Sequence, residues 1–275
     1  MLIDEYVTHC RAAGMRPGTI KLRLHWLNRA SREITLETAT SKDLIGFLAA
    51  HDWKPETRKS ARNALRSFYG WLVEEGVRSD DPSARLPAVR VPSGVPRPAP
   101  TELLVRALDR ASDRDALILG LAAFAGLRRT EIAELAWTSV EWSGLRVDGK
   151  GGRVRRVPML PRLERMLAEE RARREVGEVG SGWRFEVDPF SPYVLPSHKV
   201  DHLSPYTVGS VLSTALGGQW TGHTLRHRFA TLAYGVDRDL LTVQQLLGHS
   251  KPETTARYTA TPAGAAAAAV AGAAA

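Results

Sequence analysis

The sequence predicts a mainly α-helical protein of two domains, the second of which contains a small antiparallel sheet. Six prolines fall within residues 81–100. Proline fixes φ and removes a backbone donor, so neither a helix nor a central strand persists there. Apolar residues recur at helical spacing on both sides, and short β-like runs occur only after it. We therefore expect a helical domain over 1–80, an extended linker over 81–100, a second domain over 101–260 and an Ala-rich tail over 261–275.

The first domain contains three segments with helical periodicity. Residues 18–33 place apolar side chains three and four apart, and residues 41–50 form a shorter helix with Ser41 as its expected cap. The strongest pattern covers residues 55–76, where Pro55 suits the first turn of a helix. These segments predict a small helical bundle.

Basic side chains follow one face of the helix predicted over 55–76. Arg58, Arg62 and Arg66 are four residues apart and Lys59 lies beside them. A solvated charged face explains this spacing equally well on helix pattern alone. A basic domain linked to a second one favours DNA binding by this face.

The second domain begins with a helix that is apolar on nearly all sides, residues 115–126, which indicates burial. Two β-like runs, Leu145–Val147 and Val154–Met159, flank a turn in which Asp148 and Gly149 predict a tight type I′ hairpin. Such an order predicts a mostly α domain with a minor antiparallel sheet. Further helices are predicted over 129–137, 161–175, 205–216, 223–235, 239–247 and 252–258.

The composition favours a polyanionic partner. The chain has 275 residues, a formal net charge of +8 and a pI of about 9.9, and 31 of its 38 basic residues are arginine. Arginine presents a planar fork of donors that matches phosphate oxygens, and neutralised phosphates release counterions. A merely soluble basic protein, or the codon usage of a GC-rich genome, remains the alternative explanation.

The sequence predicts a protein of the bacterial cytoplasm. Cys10 is the only cysteine, so no disulfide forms within the chain. Asp4, Glu5 and His9 make the first ten residues unlike a signal peptide, and no apolar run is long enough to cross a bilayer. We expect no association with a membrane.

Four short stretches carry side chains capable of phosphoryl-transfer chemistry. They are AGLRRTEIAEL at 125–135, GKGGRVRRVPM at 149–159, HTLRHRFAT at 223–231 and LLGHSKPETTARYTA at 246–260. Each candidate residue has an ordinary structural explanation when it is considered alone, such as a helix-end cation or a half-buried aromatic ring. The candidates are Arg128, Lys150, His223, Arg226, His249 and Tyr258.

Together these residue types form a coherent set for chemistry on a phosphodiester. Guanidinium groups stabilise the charge that develops on non-bridging oxygens, and a tyrosine hydroxyl forms a covalent ester. Lysine and histidine move protons to or from the attacking and leaving oxygens. Cys, His and carboxylate residues are not clustered at metal-ligand spacing, so we expect neither a metal ion nor another cofactor.

The four stretches resemble, in the same order, the conserved boxes of the tyrosine recombinase or phage integrase family. These boxes are G-L-R-x-[ST]-E, a G-K-G hairpin, H-x-L-R-H and L-L-G-H-S followed by T-T-x-x-Y-[TS]. The resemblance covers most of residues 125–260. It also matches the N-terminal helical part and the linker to the core-binding domain and hinge of that family, so the second domain is expected to be the catalytic domain.

The resemblance implies that Tyr258 attacks the scissile phosphate, which gives a 3′-phosphotyrosyl link and a free 5′-hydroxyl. Arg128 and Arg226 would clamp the non-bridging oxygens. Lys150 would protonate the leaving 5′-oxygen. The covalent link conserves the energy of the phosphodiester, so the reaction needs neither ATP nor a metal.

The same resemblance implies three supporting roles. His223 would accept a proton or orient a group near the phosphate, and His249 would donate a hydrogen bond to it. Glu131 would support Arg128 without contacting the substrate.

The expected function is site-specific recombination of double-stranded DNA by a tetramer assembled on two sites. Integration or excision of a phage or mobile element is the preferred biological role, and resolution of chromosome or plasmid dimers is the alternative. A non-catalytic DNA-binding protein would fit less well, because all six candidate residues are present. A type IB topoisomerase would also fit less well, because the short chain and the L-L-G-H-S…Tyr box favour a recombinase.

The resemblance implies a C-terminal segment that docks on a neighbouring protomer, and the high helix propensity of alanine favours a short helix over 263–275 in that role. The apolar Ala-rich ending also resembles segments engaged by cytoplasmic proteases, and a disordered tail without a role is the alternative.

Overall fold

The computed structural model describes residues 2–92, 96–149, 152–178, 180–183, 188–198 and 200–248, apart from the side chain of Asp237. The chain divides into two compact units, Met1–Ser93 and Gly94–Ala275. Both units are mostly helical, and the second also contains a small antiparallel sheet, so the predicted fold class is confirmed.

The first unit is a helical bundle around an aromatic core. Tyr6, Phe68 and Trp71 contact one another at its centre, with ring centroids 5.4 to 5.9 Å apart. The buried hydroxyl of Tyr69 donates to the Leu36 carbonyl, which satisfies the polar end of a ring that is otherwise in the core. Its helices are α1 (Leu2–Ala12), α2 (Pro17–Ala30), α3 (Ser41–Ala49) and α4 (Pro55–Glu74).

Two local predictions for this unit were incomplete or wrong. The sequence analysis identified no helix over the residues of α1, although Tyr6 and Cys10 bury one of its faces. The cap of α3 is Thr40 rather than Ser41, because the Thr40 hydroxyl and the Asp43 carboxylate each accept from the other's backbone N–H. The Ser41 hydroxyl instead donates to the Pro82 carbonyl.

The arginine face of α4 has a structural role as well as a charge. Arg58 donates to the carbonyls of Leu48 and His51, and Arg62 donates twice to the Leu86 carbonyl. Leu86 itself is buried in the core of this unit. The first residues of the proline-rich stretch are therefore packed against α4.

The second unit is built around a helix that is buried along most of its apolar stretch, as the sequence predicted. Residues 117–123 of this helix, α6, are all buried, and its neighbours in space include α5, α8, α9 and α10. Ser112 caps it by accepting from the Asp115 amide. The helices are α5 (Thr101–Asp109), α6 (Asp113–Phe124), α7 (Arg129–Ala133), α8 (Pro161–Glu175), α9 (Pro205–Ala215), α10 (Gly222–Asp237) and α11 (Leu240–Leu247).

Most of these helices match the predicted ranges, with two differences. Helix α5 was not predicted, and α7 ends at Ala133 instead of continuing to residue 137, where a separate 3-10 turn, Trp137–Ser139, begins. The helix predicted over 252–258 lies outside the described residues.

The sheet has three antiparallel strands in the order β1 (Val140–Glu141), β2 (Gly144–Asp148) and β3 (Val154–Val157). The predicted hairpin is confirmed, but the prediction of a tight turn at Asp148 and Gly149 is wrong. Asp148 pairs with Val154, and the Gly149 amide donates to the Arg153 carbonyl, so the turn is longer. The described glycine with positive φ in this turn is Gly152, at 73°.

Most charged side chains of helix α8 are exposed, but one ion pair on this helix is buried. Arg174 donates to Glu170 at 2.9 Å, and both side chains are buried. The same guanidinium donates to the carbonyls of Tyr193 and Val194. Residues 193 and 194 are thereby attached to α8. Searched over the described residues, the helices include none with the length and apolar character needed to cross a membrane.

Candidate active site

Arg128 and Glu131 lie where the buried helix α6 gives way to the short helix α7. Gly126 reverses the chain there with a φ of +62°, and a Cβ at this position would lie 2.5 Å from the Phe229 ring. Glu131, three residues after Arg128, accepts from the Arg128 backbone N–H at 2.8 Å and from its Nη1 at 2.7 Å. One carboxylate therefore fixes both the backbone and the guanidinium of Arg128.

Arg155 belongs to the same cluster of charged side chains and was not singled out from the sequence. It projects inward from β3 and its side chain is 7% exposed. Its Nη1 and Nη2 donate to the two oxygens of Glu131, and its Nε donates to the Leu246 carbonyl at the end of α11. The signal was available: in the run Val154–Val157, residues 155 and 157 share the face that the sheet buries. An arginine at an inward position requires a buried partner.

The charge of Glu131 is stabilised by its arginine partners. Burial by itself would raise the pKa of this carboxyl group, but it is outweighed by the hydrogen bond and charge of Arg155, together with the amide and charge of Arg128. The pKa is lowered to about 2, so Glu131 is ionised at neutral pH. The Glu131 carboxylate thus binds two guanidinium groups, that of Arg128 at the start of α7 and that of Arg155 on β3.

Arg226 enters the same cluster from α10. It is 3% exposed, and its Nη1 lies 3.9 Å from Glu131. Nη1 donates to the Gly126 carbonyl at 2.5 Å, and Nη2 donates to the Leu247 carbonyl. Arg226 therefore connects the end of α6 to the end of α11.

His223 lies one turn before Arg226 on α10 and is exposed. Its Nε2 is 2.9 Å from Nε2 of His227, and the two ring centroids are 4.2 Å apart. His227 was part of the H-x-L-R-H stretch but was assigned no role from the sequence. Its Nδ1 accepts the backbone N–H of Arg97 at 3.0 Å.

The three predicted site residues that the structure describes line one cleft of about 660 Å³. Arg128 forms one side of it, and His223 and Arg226 approach from the start of α10. Arg128 is about one third exposed, so its guanidinium remains accessible to a ligand while it is bound to Glu131. The arrangement offers two fixed guanidinium groups and an imidazole to an anion in the cleft.

Lys150, His249 and Tyr258 lie outside the described residues, but the residues immediately before two of them are described. Gly149 and Gly248 line a second cleft of about 620 Å³ together with Arg155. Cβ atoms built at these two glycines would lie 3.8 Å and 3.1 Å from the Arg155 side chain. The residues that precede Lys150 and His249 therefore both lie beside the side chain of Arg155, which binds Glu131.

No group of three or more His, Cys, Asp or Glu side chains capable of holding a metal ion occurs in the part of the chain that the structure describes.

The family model described as the phage integrase family matches residues 98–263. The chain belongs to the phage integrase family. Its matched region includes all four motif stretches and the whole cluster around Glu131. As a member of this family, the chain is a site-specific tyrosine recombinase, an enzyme that cleaves and rejoins DNA.

Curated relatives extend the likeness to nearly the whole chain. The tyrosine recombinase XerC of Myxococcus xanthus is 31% identical over 94% of this chain and 92% of its own length. The tyrosine recombinase XerD of Vibrio cholerae is 33% identical over 94% of this chain and 88% of its own. The phage integrase family membership therefore includes the N-terminal helical unit.

Solved structures of other members show the same fold. The λ integrase (residues 75–356) dimer bound to a COC′ core site has a TM-score of 0.72 at 20% identity, covering 94% of this chain and 93% of that one. The XerH site-specific recombinase bound to difH substrate has a TM-score of 0.68 at 22% identity, with coverages of 96% and 82%.

Proposed function

We propose that the cleft beside Glu131 binds the scissile phosphate of double-stranded DNA. Arg128 and Arg226 contact its non-bridging oxygens, and His223 lies at its edge. The observation that supports this proposal best is the shared anion: Glu131 lies within 4 Å of guanidinium nitrogens from Arg128, Arg155 and Arg226. Cations fixed before the substrate arrives stabilise developing charge without rearrangement.

Tyr258 acts as the nucleophile in this proposal. Its hydroxyl oxygen forms a bond to phosphorus while the bond from phosphorus to the 5′-oxygen breaks, which leaves a 3′-phosphotyrosyl link. The 5′-oxygen takes a proton from Lys150, and His223 accepts the tyrosine proton or orients the attacking group. His249 donates a hydrogen bond to the phosphate. Attack by the 5′-hydroxyl of a second strand reverses these steps and rejoins the DNA.

Both units of the chain are proposed to contact DNA. The helical unit of residues 1–93 supplies exposed basic side chains, among them Lys59 and Arg66 on α4. Related structures include a λ integrase tetramer bound to a Holliday junction. Four copies of this chain on two DNA sites would provide the two pairs of cleavages that strand exchange requires.

Two biological roles share this chemistry. Integration or excision of a phage or mobile element is one, and resolution of chromosome or plasmid dimers is the other. The similarity to XerC and XerD over 94% of the chain favours the second. A plasmid with two directly repeated sites tests for resolution, and two plasmids with one site each test for integration. Resolution that greatly exceeds integration without an added protein supports the dimer-resolvase role, and the reverse supports the integrase role.

A suicide substrate with a nick near the cleavage point tests the covalent step. The native chain is expected to accumulate a protein–DNA adduct that survives a denaturing gel. Tyr258→Phe is expected to form none while its DNA affinity stays within about twofold, because only a hydroxyl is lost. Tyr206→Phe is the matched control, since Tyr206 lines the cleft proposed to bind the phosphate. An adduct in Tyr258→Phe would exclude Tyr258 as the nucleophile.

The Ala-rich segment 263–275 lies outside the described residues, and both roles expected for it remain proposals. Replacing Ala274 and Ala275 with aspartate separates docking in the assembled tetramer from engagement by a cytoplasmic protease. Lost recombination with an unchanged half-life supports docking on a neighbouring protomer. A longer half-life with normal recombination supports protease recognition, and no change in either contradicts both.

A further inference from the structure

The part of the linker that precedes α5 lies along the first turns of α10, within the second unit. The Ala99 amide donates to the Thr224 carbonyl at 3.1 Å, and the guanidinium of Arg97 stacks over the Trp220 ring at 4.1 Å. Ala99 is buried in the core of this unit. These contacts fix the backbone of Arg97 beside the helix that carries His223 and Arg226.

The hydrogen bond from Arg97 to His227 determines where the His227 proton is. A backbone N–H only donates, so Nδ1 of His227 must be the acceptor and carries no proton. The single proton of the neutral ring is then on Nε2. Because that nitrogen is 2.9 Å from Nε2 of His223, His227 donates and His223 accepts. The proton of a neutral His223 is therefore on Nδ1.

We propose that His227 is a positioning residue for strand cleavage. It relays the hydrogen bond of the Arg97 amide to His223, and so holds the His223 ring with its Nε2 lone pair engaged by His227 and its Nδ1–H as a donor. Of the two roles proposed for His223, this arrangement favours orientation of a group at the phosphate over acceptance of the tyrosine proton. This inference rests on the proposed role of His223 at the phosphate. It adds a residue to the site and makes the linker part of it, since displacement of Arg97 releases His227.

The relay predicts that the linker influences cleavage through one backbone N–H. Arg97→Pro removes that donor, and Arg97→Ala keeps it but loses the contact with Trp220. Proline is compatible with this position, because Arg97 lies between Pro96 and Pro98 and a residue before proline is already restricted to extended conformations. We expect Arg97→Pro to cleave a suicide substrate roughly tenfold more slowly than Arg97→Ala, with DNA affinities within about twofold of each other. This loss is smaller than that of a direct acid or base.

Substitutions of His227 separate its two hydrogen bonds. Glutamine places an amide N–H near the position of Nε2, so His227→Gln is expected to keep the bond to His223 and most of the cleavage rate. Asparagine keeps an acceptor near Nδ1 but is too short to reach His223. His227→Asn and His227→Ala are both expected to lose roughly tenfold in rate, with DNA binding maintained. Native rates in His227→Ala, or equal losses in all three variants, would overturn the relay.

The tautomers of the imidazole rings can be measured directly, by long-range proton–nitrogen correlation spectra of the full chain labelled with ¹⁵N at its eight histidines. A purely structural role of Arg97 or His227 would not change these tautomers. In the native chain and Arg97→Ala, His227 is expected to be the Nε2–H tautomer and His223 the Nδ1–H tautomer. In Arg97→Pro, both rings are expected to become mixtures. The opposite tautomers in the native chain, or identical spectra in Arg97→Pro and Arg97→Ala, contradict the proposal.

These measurements distinguish failure of the relay from failure of the proposed function. If the native chain forms no covalent adduct, the proposed function fails, and the spectra still decide whether the relay exists. If His223→Ala cleaves at the native rate, the role of His223 fails. If His223→Ala is slow and His227→Ala is fast, only the positioning role of His227 is rejected.

Discussion

Arg155 and Glu131 form two parallel hydrogen bonds, Nη1 to Oε1 at 2.9 Å and Nη2 to Oε2 at 2.7 Å, although they come from a strand and a helix 24 residues apart. Both side chains are at most 7% exposed. Because Glu131 also binds Arg128, this pair determines where a residue of the proposed phosphate site lies. Removing either partner would leave a buried charge unpaired, which is strongly destabilising.

Glu131→Gln is expected to lower the free energy of unfolding by about 3 kcal/mol at pH 7. The folded-state pKa of Glu131, about 2, lies below its unfolded value, so the ionised carboxylate stabilises the protein fully above pH 5. This stabilisation is lost as the pH falls from about 4.5 towards 2. Urea unfolding at pH 7, 5 and 3.5 should show the difference between native and variant shrinking as the pH decreases.

Glu134→Gln is the control for this measurement, because Glu134 is exposed at the end of the same short helix. It should change the stability by less than about 0.5 kcal/mol at each pH. A Glu131→Gln variant as stable as the control at pH 7 would show that the cluster does not hold the fold together.

Arg155→Lys is expected to weaken both stability and cleavage. An ammonium group cannot bind both Glu131 oxygens and the Leu246 carbonyl in the geometry of a planar guanidinium. We expect a loss of roughly 2–4 kcal/mol in unfolding free energy and a slower rate of adduct formation. Arg156→Lys is the matched control, since its side chain is 66% exposed on the opposite face of β3. Similar effects of the two substitutions would contradict the structural role of Arg155.

A substrate with sulfur in place of the bridging 5′-oxygen tests the roles of Lys150 and Arg128. Sulfur leaves without needing a proton, so this substrate should restore cleavage by Lys150→Ala if Lys150 is the general acid. Arg128→Ala should not be restored, because its proposed role is to stabilise charge on the non-bridging oxygens. Rates of single-turnover cleavage on the two substrates give the comparison. Equal defects of the two variants on the sulfur substrate would reject the assignment to Lys150.

Gly126→Ala is expected to lower the free energy of unfolding by roughly 2–4 kcal/mol. The φ of +62° disfavours any side chain, and the new methyl group would lie 2.5 Å from the Phe229 ring. Gly70→Ala, in the middle of α4 with open space around it, should instead raise stability by about 0.5–1 kcal/mol. Thermal unfolding of both variants provides the test, and a neutral Gly126→Ala would contradict the close approach of α6 and α10.

Periodicity and motif order predicted the fold class, most of the helices and the clustering of Arg128, His223 and Arg226. The residues that connect them were harder to find, because their roles depend on contacts that are distant in sequence. Arg155 becomes informative once β3 is known to turn it inward, and His227 once Arg97 is known to lie beside it. The turn at Asp148 was misjudged because the pairing of Asp148 with Val154 lengthens the loop, which local turn preferences alone do not specify.

The hydrogen bonds of Arg155 and Arg226 to main-chain carbonyls join parts of this recombinase that are far apart in the sequence. Arg226 joins α10 to the Gly126 carbonyl, 100 residues earlier, and Arg155 joins β3 to the Leu246 carbonyl, 91 residues later. Contacts at such separations form only after the intervening chain has become compact, because loop closure costs entropy before the contact is gained. A nascent chain that has not yet reached α11 has no partner for the Arg155 Nε–H at Leu246. We therefore expect the cluster of arginines around Glu131 to be completed late in folding, because a chain that ends before α11 lacks the Leu246 and Leu247 carbonyls that bind Arg155 and Arg226.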